Sequence, residues 1–528
     1  MRGSDPFVPA GRTPARGKEV VANRHLISSS SSFEPEERLD LLIHALAQLP
    51  DETTLELHGR GPGLARVELL ASAYGILDRV EFVSADPSPD RHGQIVYSSR
   101  RNRATAPIRG SGALTLDPLA PQRDLPNAAN TMAEFVERLL WTGAPAASLR
   151  PNDELLRDQR IVFVTNVPAP YRVELFAQIA ERLQLVGASF DVVYQSEAPK
   201  DRPWLKLDQE FPFRHHFLKS IEIPLGERKP HLPRDLESTI ARLRPTLLVC
   251  AGFSPLVSSR VGRVAARRAI PFGIYSGEIE AALTAKQGWR RVLRRWVTRR
   301  ASFAVAYGFE SGEYLASLAP FLPFVYARNS SAITQRSARP ARPEPVRILS
   351  TADLNSDRKG VDVLVDALKL MPGVSCELIV VGGGRELSQL TDRAGGDARI
   401  RFLGPLPREE TLEQYGRSDV YAFPTRNDIY GLVMVEAMGS GLATVVSTAP
   451  GALGDLAVNG TNCLVVATHD PADWAEALTS VVQDHDLRQT LAERGKQTIA
   501  RRWTMEHSVD AMIAGFRLGA LTGPVTER

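Results

Sequence analysis

The order of apolar and polar positions divides the chain into segments with different predicted structures. Between residues 24 and 85, short apolar runs alternate with amphipathic stretches in the order HLISSS, LDLLIHALAQL, LELHG, ARVELLASAYG and RVEFVS. Short apolar runs bounded by turn residues are typical of strands, and apolar residues three or four apart are typical of helices. The pattern therefore predicts a βαβαβ unit, which is part of a doubly wound sheet.

A more regular alternation begins near residue 159. The apolar runs IVFVTNV, FDVVYQ, TLLVCAGF and PFGIYS alternate with helical patterns, which predicts an α/β lobe over 159–335. The segment RSARPARPEP follows, and its Pro and Arg content is typical of an exposed connector. Beyond it the runs RILSTADL, ELIVVGGG, RIRFLG, VYAFP, ATVVST and NCLVV predict a second parallel α/β lobe over 345–505.

Three segments lack this regular alternation. Residues 1–23 are dominated by Gly, Pro, Arg and Ser, and we expect a disordered tail there. Residues 86–158 contain many prolines and the stretch SSRRNR, which predicts a linker with one helix, AEFVERLLW. Residues 506–528 are expected to form a C-terminal helix and tail.

The chain contains an internal repeat. FEPEERLDLLIHALAQLP (33–50) aligns with NSDRKGVDVLVDALKLMP (355–372), and RVEF (79–82) aligns with RIRF (399–402). Residues 24–85 are therefore predicted to be a partial copy of the last lobe. Where that lobe has Arg358-Lys359-Gly360, the copy has Glu36-Glu37-Arg38, so a negative charge replaces a positive one. We expect a degenerate copy that serves as a remnant or packing module, and a fused gene fragment is an equal alternative.

Composition and charge exclude several classes of protein. The 528 residues are 43% hydrophobic and 24% charged, which excludes a membrane bundle and a wholly disordered chain. The net charge of +3 gives no argument for a nucleic-acid partner. The three cysteines lie far apart in sequence and form no disulfide framework or metal knuckle, so a reducing cytoplasm is the simplest setting.

The segment NDIYGLVMVEAMGSGLATVV (427–446) carries the sharpest chemical signal. A strand leads into a polar loop and then into a helix that should begin near Gly431. The free N–H groups at such a helix start favour an anion such as a diphosphate. Asp428 precedes the helix and Glu436 lies inside it, so two carboxylates are available to accept hydrogen bonds from vicinal hydroxyls. The alternative is that Asp428 only caps the helix and Glu436 is solvated.

Two further motifs belong to the same lobe. Arg358-Lys359-Gly360 precedes the amphipathic helix VDVLVDALKL, where the two cations are able to bind phosphate oxygens. The sequence VVGGG, which includes Gly383, predicts a strand that ends in a glycine turn. It lacks the spacing of the G-x-G-x-x-G fingerprint, which argues against NAD.

Taken together, these motifs resemble a known family. RKGVDVLVDAL, ELIVVGGGRE, RIRFLGPLPREE, SDVYAFPTRNDIYGLVMVEAMGSG and PGALGDLAVNGTNCLVV, in this order, resemble the nucleotide-sugar-binding lobe of retaining family-4 (group 1) glycosyltransferases. IVFVTNVPAPYR, VCAGFSP and YARNSS resemble the acceptor lobe of the same enzymes. The resemblance implies an α/β, GT-B fold: two Rossmann-like, doubly wound lobes facing across a cleft, preceded here by the partial Rossmann-like unit.

The resemblance also implies roles for individual residues. Lys359, with Arg358, would neutralise the donor diphosphate and stabilise the leaving nucleoside diphosphate. Asp428 would contact the donor sugar and Glu436 would hold the ribose hydroxyls. The remaining donor-site candidates are Tyr430, Gly431, Leu432 and Gly383. No metal and no cofactor are implied beyond the nucleotide sugar, which is a co-substrate, and Asp484-His485-Asp486 is predicted to lie on the surface.

The acceptor side departs from the family pattern. Many relatives place a histidine beneath the donor sugar, whereas this chain has IYSGE there, leaving Ser276 and Glu278 as candidates. NVPAPYR places Tyr171 and Arg172 at the cleft edge, where they are either acceptor contacts or a helix start. The first carboxylate of the family's E-x7-E signature is Asp428 rather than glutamate.

The segment WRRVLRRWVTRR (289–300) contains six arginines. On a helix its apolar residues fall within one arc, and most arginines lie opposite. One interpretation is an interfacial helix attracted to anionic lipid. The other is an ordinary lobe helix with its apolar face on the sheet.

The sequence thus predicts a retaining, metal-independent glycosyltransferase. It would move a sugar from a nucleoside diphosphate sugar to a hydroxyl of a glycan or lipid-linked acceptor, in cell-surface polysaccharide or glycolipid assembly. The expected location is the cytoplasm, with peripheral attachment to the inner face of the plasma membrane if the arginine helix binds lipid. The alternatives are a catalytically silent sugar-nucleotide-binding or scaffold protein and a GT-B sugar-nucleotide epimerase.

Overall fold

The computed structural model describes most of the chain from residue 25 onward. The described ranges are 25–31, 39–47, 53–59, 63–83, 94–98, 153–197, 211–222, 231–254, 257–280, 288–331, 345–355 and 357–525. The predicted tail 1–23, the predicted helix AEFVERLLW and the Glu36-Glu37-Arg38 segment lie outside these ranges.

The N-terminal unit is a parallel sheet of four strands in the order β3-β2-β1-β4. Its elements are β1 (His25–Ser31), α1 (Leu39–Leu46), β2 (Thr53–Gly59), α2 (Leu64–Ala73), β3 (Val80–Val83) and β4 (Gln94–Ser98). The βαβαβ prediction is confirmed, but the predicted linker boundary at residue 86 is wrong because β4 lies beyond it. The strand was missed because QIVYS is short and proline-rich sequence surrounds it.

The next lobe is built on a parallel sheet of seven strands in the order β13-β12-β11-β10-β5-β6-β7. Its strands are β5 (Arg160–Thr165), β6 (Ser189–Tyr194), β7 (Arg214–Phe217), β10 (Leu247–Ala251), β11 (Phe272–Ser276), β12 (Phe303–Ala306) and β13 (Phe324–Tyr326), and β8 (Ser220–Glu222) and β9 (His231–Pro233) form a separate antiparallel pair. Its helices are α3 (Pro170–Leu185), α4 (Leu236–Leu243), α5 (Ser258–Arg267), α6 (Gly288–Thr298) and α7 (Phe309–Leu318). The central strands are buried throughout, which is why their sequences are continuous apolar runs.

The C-terminal lobe has six parallel strands in the order β16-β15-β14-β17-β18-β19. These are β14 (Val346–Thr351), β15 (Cys376–Val381), β16 (Ile400–Gly404), β17 (Val420–Phe423), β18 (Ala443–Ser447) and β19 (Leu464–Val466). The helices are α8 (Val361–Lys369), α9 (Leu387–Ala394), α10 (Arg408–Arg417), α11 (Leu432–Gly439), α12 (Leu453–Leu456), α13 (Pro471–Gln483), α14 (His485–Arg502) and α15 (Met505–Thr522). The order β16-β15-β14-β17 repeats β3-β2-β1-β4 position by position, which is the arrangement a partial copy would have; the common origin stays a prediction.

The last helix, α15, lies where a C-terminal helix was expected, but its packing was not predicted. It packs across the sheet of the first lobe, against α3 and strands β12 and β13. Gly519 allows this close approach, because a Cβ atom there would stand 2.6 Å from Leu247 Cδ1 and from Phe303 Cε1. The chain therefore crosses from the first lobe to the second and back, and α15 belongs to the first lobe.

The N-terminal unit docks on the first lobe at strand β13 and helix α15. Helix α2 packs against α15, and α1 contacts β13. The backbone N–H of Tyr326 donates to the hydroxyl of Tyr74 at 3.1 Å, and the rings of His44 and Tyr326 lie 4.8 Å apart. The buried side chains of the unit are continuous with the core of the first lobe.

The arginine-rich helix is α6, and it packs in the first lobe between α5 and α7. Val297 is buried and Trp296 is half-buried, as the lobe-helix interpretation requires. The predicted arc is wrong at two positions, because Val292 is 71% exposed while Arg294 points inward. Arg294 forms an ion pair with Glu278 and donates to the hydroxyl of Tyr314 at 3.1 Å. In the described part of the chain, no helix combines the length and the apolar character needed to cross a bilayer.

Candidate active site

Asp428 lies in the loop between β17 and α11, at the position predicted from the sequence. Its Oδ1 accepts hydrogen bonds from the backbone N–H groups of Tyr430 at 3.0 Å and Gly431 at 2.7 Å. Its Oδ2 forms an ion pair with the Nζ of Lys359. Asp428 therefore fixes the turn that leads into α11 and also holds the lysine, so one carboxylate joins two predicted site elements.

Contacts between two loops bring Lys359 to this place. The short 3₁₀ turn Asp357–Lys359 ends at Gly360, whose φ of +67° is a left-handed conformation. A Cβ atom at Gly360 would stand only 2.0 Å from the carbonyl oxygen of Pro424. The backbone N–H of Arg426 donates to the carbonyl of Arg358 at 2.7 Å. The loop that carries the lysine and the loop that follows β17 thus pack backbone against backbone.

Arg426 fixes the same loop and was not singled out from the sequence. Both of its terminal nitrogens donate to Asp362 at 2.8 Å, and one also donates to the carbonyl of Asp357 at 2.6 Å. Burial raises the pKa of the Asp362 carboxyl, but the hydrogen bonds and charge of Arg426 outweigh this and hold the pKa below its ordinary value. Arg358, in contrast, has an exposed side chain.

Glu436 lies inside α11 and is only 8% exposed. Its Oε1 accepts hydrogen bonds from the hydroxyl of Ser331 at 2.9 Å and from Arg408 at 3.1 Å, and Arg408 also donates to Ser331 at 2.6 Å. The hydroxyl of Tyr415 donates to Oε2 at 3.4 Å. The alternative of a solvated helix residue is therefore wrong, and Glu436 is an oriented carboxylate in a polar network.

Three of the other donor-side candidates, Tyr430, Gly431 and Leu432, lie at the start of α11. Gly431 and Leu432 form the first turn of α11, and the ring of Tyr430 is buried beside it. Trp503 donates its indole N–H to the hydroxyl of Tyr430 at 2.9 Å. Gly383 lies in the turn after β15, next to Pro405.

On the facing lobe, Arg172 lies in the first turn of α3. Its terminal nitrogens donate to the hydroxyls of Thr165 and Tyr307, both at 2.8 Å. The ring of Tyr307 lies 6.0 Å from the ring of Tyr430, so this chain of contacts links the two lobes next to Asp428. The ring of Tyr171 lies 5.8 Å from the Arg172 guanidinium.

Ser276 and Glu278, the other acceptor-side candidates, have structural partners. The backbone N–H of Glu278 donates to the hydroxyl of Ser276 at 3.1 Å, which stabilises the turn after β11. The carboxylate of Glu278 pairs with Arg294. An acceptor role for this pair stays a prediction.

The two lobes also meet at Asp455, which no motif in the sequence singles out. Its Oδ2 accepts a hydrogen bond from the backbone N–H of Phe309, at the start of α7, at 2.7 Å. Burial raises the pKa of this carboxyl.

Asp484 caps α14, because its side chain accepts a hydrogen bond from the backbone N–H of Leu487 at 2.9 Å. Across the described ranges, no three His, Cys, Asp or Glu side chains converge in a way that could hold a metal ion.

Solved structures similar to this protein show its fold. Anabaena HepE, solved in complex with UDP, aligns with a TM-score of 0.53 at 18% identity, covering 67% of this chain and 98% of that one. A sucrose-phosphate synthase from Thermosynechococcus elongatus aligns with a TM-score of 0.53 at 17% identity, covering 67% and 97%. The GT-B fold, with two Rossmann-like lobes, is confirmed.

Sequence comparison finds proteins that are similar to the C-terminal lobe. Residues 345–484 match the family model described as "Glycosyl transferases group 1". The D-inositol 3-phosphate glycosyltransferase of Xylanimonas cellulosilytica is 34% identical over 162 residues, covering 29% of this chain and 38% of that protein. The enzyme of the same name from Corynebacterium jeikeium is 31% identical over 200 residues, covering 35% and 47%. The chain spans less than half of the length of these relatives, and its C-terminal lobe is similar to the group 1 glycosyltransferases.

Proposed function

We propose that this protein is a retaining glycosyltransferase that transfers a sugar from a nucleoside diphosphate sugar to a hydroxyl of a glycan or lipid-linked acceptor. The observation that carries the proposal is the contact of Lys359 with Asp428 just before α11. The same helix carries the oriented carboxylate of Glu436. Structures of HepE with UDP and with UDP-glucose support a nucleotide sugar as the donor.

In this proposal the donor diphosphate binds beside Lys359 and the start of α11. The ammonium group and the helix dipole stabilise negative charge there. The bond between the anomeric carbon and the phosphate oxygen breaks, and its electron pair leaves with the nucleoside diphosphate. The acceptor hydroxyl forms the new bond on the same face and gives its proton to the departing phosphate. Lys359 and Arg358 supply the positive charge for this step.

Glu436 holds the nucleoside in the same scheme. Arg408 and Ser331 already fix one carboxylate oxygen, so the side chain loses little conformational freedom when ribose hydroxyls donate to it. Asp428 contacts the donor sugar, and it keeps Lys359 in place when the site is free of diphosphate.

The test begins with thermal stabilisation by a panel of nucleotide sugars and continues with hydrolysis and transfer assays on those that bind. Lys359→Ala and Glu436→Ala should each lower turnover about a hundredfold or more, because transition-state charge and nucleoside position are lost. Lys369→Ala and Glu413→Ala are the matched controls, since these side chains form exposed ion pairs on α8 and α10, outside the proposed site. Full activity in Lys359→Ala and Glu436→Ala would refute the site.

A silent sugar-nucleotide-binding protein is the second candidate. It is favoured by aspartate at position 428 and by Ser276, which is buried in a turn where many relatives carry a histidine. Stabilisation by a nucleotide sugar that is neither hydrolysed nor transferred to any hydroxyl acceptor would select this function.

We also propose that α6 attaches the protein to the anionic inner face of the plasma membrane, in cell-surface polysaccharide or glycolipid assembly. Val292 is exposed in the midst of the exposed Arg291, Arg295 and Arg299, so one apolar side chain is surrounded by cations. Val292→Glu should reduce co-sedimentation with phosphatidylglycerol vesicles severalfold, while Leu370→Glu, an exposed apolar position on the other lobe, should not. Equal vesicle binding by the two variants would refute membrane attachment through α6.

A further inference from the structure

An open pocket lies on the C-terminal lobe, between the second half of α14 and the loop before β19. Its volume is about 350 Å³, including the part that is open to solvent. The described side chains that line it are all polar, and three of them are the guanidinium groups of Arg494, Arg501 and Arg502. No carboxylate is among these lining side chains, so the lining carries three positive charges and no negative one.

One face of α14 supplies most of this lining. Arg494, Thr498 and Arg501 follow one another at intervals of four and three residues, so they project from the same side of the helix. Arg494 is exposed, and no carboxylate in the described ranges forms an ion pair with it. Its guanidinium is therefore open to an anion from solution.

The opposite wall of the pocket is fixed by hydrogen bonds. Asn462 is only 1% exposed, and its Oδ1 accepts from the backbone N–H of Val458 at 2.8 Å. Its Nδ2 donates to the carbonyl of Leu456 at 2.9 Å and to the hydroxyl of Thr498 at 3.2 Å. The Thr498 hydroxyl in turn donates to the carbonyl of Arg494 at 2.8 Å. The loop is thus joined to the helix before any ligand arrives, so binding costs little conformational entropy.

The dipole of α14 explains only part of this positive charge. Arg501 and Arg502 lie in the last turn, where cations stabilise the negative end of a helix. Arg494 lies two turns earlier, where this effect has decayed. The carboxylate of Glu493, next along the helix, accepts a hydrogen bond from the amide of Gln497 at 2.7 Å and forms no ion pair with Arg494. The position of Arg494 therefore favours an external anion.

The pocket is separate from the donor site. Gly495 of α14 packs against the end of α11, since a Cβ atom there would stand 3.4 Å from Met438 Cε and 3.2 Å from the carbonyl oxygen of Asn462. Lys359 and Asp428 meet just before the first residue of the same helix. The eight residues of α11 place about 10 Å of helix between the two ends. An anion in the pocket would not occupy the place of the donor diphosphate.

We propose that this pocket binds a phosphate group that belongs neither to the donor nor to the sugar that is transferred. The planar donor forks of Arg494 and Arg501 match phosphate oxygens, and the hydroxyl of Thr461 offers a neutral donor from the loop. The ligand is inorganic phosphate or a phosphate monoester, carried by a soluble metabolite or by the headgroup of an anionic lipid. The inference goes beyond the proposed transfer function and gives the protein a second anion site that does not compete with the donor.

The test measures the binding of inorganic phosphate to the full chain by calorimetry at low salt. The wild type should bind phosphate. Arg494→Gln and Arg501→Gln should each weaken this binding about tenfold or more, because each removes a charge-assisted hydrogen bond. The matched control is Lys496→Gln, which removes the same charge from the same helix. The stem of Lys496 lies beside Gly441 and not in the pocket, so this variant should bind phosphate like the wild type.

Lys359→Ala separates this proposal from the proposed function. It should lose stabilisation by the nucleotide sugar and retain phosphate binding, and a protein that transfers no sugar should still bind phosphate. Phosphate binding that is lost in Lys359→Ala but kept in Arg494→Gln would place the anion at the donor site and overturn the inference.

Two other results would overturn it: no phosphate binding by the wild type, or an equal loss in Arg494→Gln and Lys496→Gln, which would indicate attraction to general positive charge. If Arg501→Gln does not give a wild-type circular dichroism spectrum, Arg494→Gln decides, because Arg494 is exposed. Glycerol 3-phosphate and vesicles of phosphatidic acid, added separately as competitors, distinguish a soluble ligand from a lipid headgroup.

Discussion

Gly360 holds Lys359 at the start of α11, and its replacement should disturb both stability and donor binding. In Gly360→Ala the left-handed backbone costs about 1–2 kcal/mol. The new Cβ, 2.0 Å from the Pro424 carbonyl oxygen, also pushes the lysine loop away from the loop after β17. We expect the free energy of unfolding to fall by more than about 2 kcal/mol, and the nucleotide sugar to lose most of its stabilising effect. Urea unfolding and thermal shift measure the two.

The matched control is Gly373→Ala. Gly373 has a φ of +76°, but no atom lies within 4 Å of a Cβ placed there. This variant should lose only the backbone term, about 1–2 kcal/mol, and keep donor binding. Equal losses in the two variants would mean that the contact with Pro424 does not matter.

At the residue scale, the sequence identified groups with local signals and missed those whose partners are distant. Asp428 and Lys359 were selected from their places before helices, and the structure brings them into contact. Arg408 and Ser331 lie 28 and 105 residues from Glu436, and nothing around them indicates that they meet. Their contact depends on how the lobes pack, which local spacing does not encode.

Helix α15 carries a carboxyl whose titration should be visible in the stability of the whole protein. Asp510 lies 3.2 Å from Arg182 of α3, yet burial outweighs this partner and raises the pKa of Asp510 to about 6. The folded protein therefore holds this proton more tightly than the unfolded chain does. The contribution of this tighter proton binding to the free energy of unfolding is fully present below about pH 4 and is lost as the pH rises through about 6. Asp510→Asn should remove this part of the pH dependence, measured as unfolding free energy at pH 4.5 and 7.5.

Asp366 on α8 provides a comparison of opposite sign. Hydrogen bonds from Arg393 lower the pKa of its carboxyl, so its contribution is present above its ordinary value of 3.8 and is lost as the pH falls. Asp366→Asn should therefore reduce the loss of stability between pH 4.5 and about pH 2.5, and it should leave the difference between pH 4.5 and 7.5 almost unchanged, because both of those values lie above 3.8. An unchanged loss between pH 4.5 and about 2.5 in Asp366→Asn would contradict the assignment.

At the scale of elements, the prediction succeeded for the longer apolar runs. Strands β10, β11 and β15 were all predicted, whereas β12 and β13 were missed although they are buried throughout, because the runs FAVA and FVY are short. Strand β7, with the sequence RHHF, was missed because it lies at the sheet edge and is only half-buried. The position of α15 was missed for another reason: the apolar pattern of a helix shows that one face is buried, but not which lobe buries it.

For the whole molecule, the docking of the N-terminal unit should depend on one hydroxyl. Tyr74→Phe removes the oxygen that accepts from the backbone N–H of Tyr326 and leaves a buried donor unsatisfied. We expect a loss of about 1–3 kcal/mol in the free energy of unfolding and faster proteolysis of the N-terminal unit. Arg66→Ala removes an exposed hydrogen bond to Pro320 in the same interface and should cost less than about 1 kcal/mol. A Tyr74→Phe protein as stable as the wild type would show that the unit docks by other contacts.

The N-terminal unit docks on an edge strand of the seven-stranded sheet, and this position bears on self-association of the protein. Strand β13 ends the seven-stranded sheet, and the N–H of Tyr326 points away from β12 toward Tyr74. An open strand edge of this kind is a template for pairing with another chain and the start of aggregation. Because α1 of the N-terminal unit contacts β13, we expect the unit to protect this edge from pairing with other chains, which is a role separate from donor or acceptor binding.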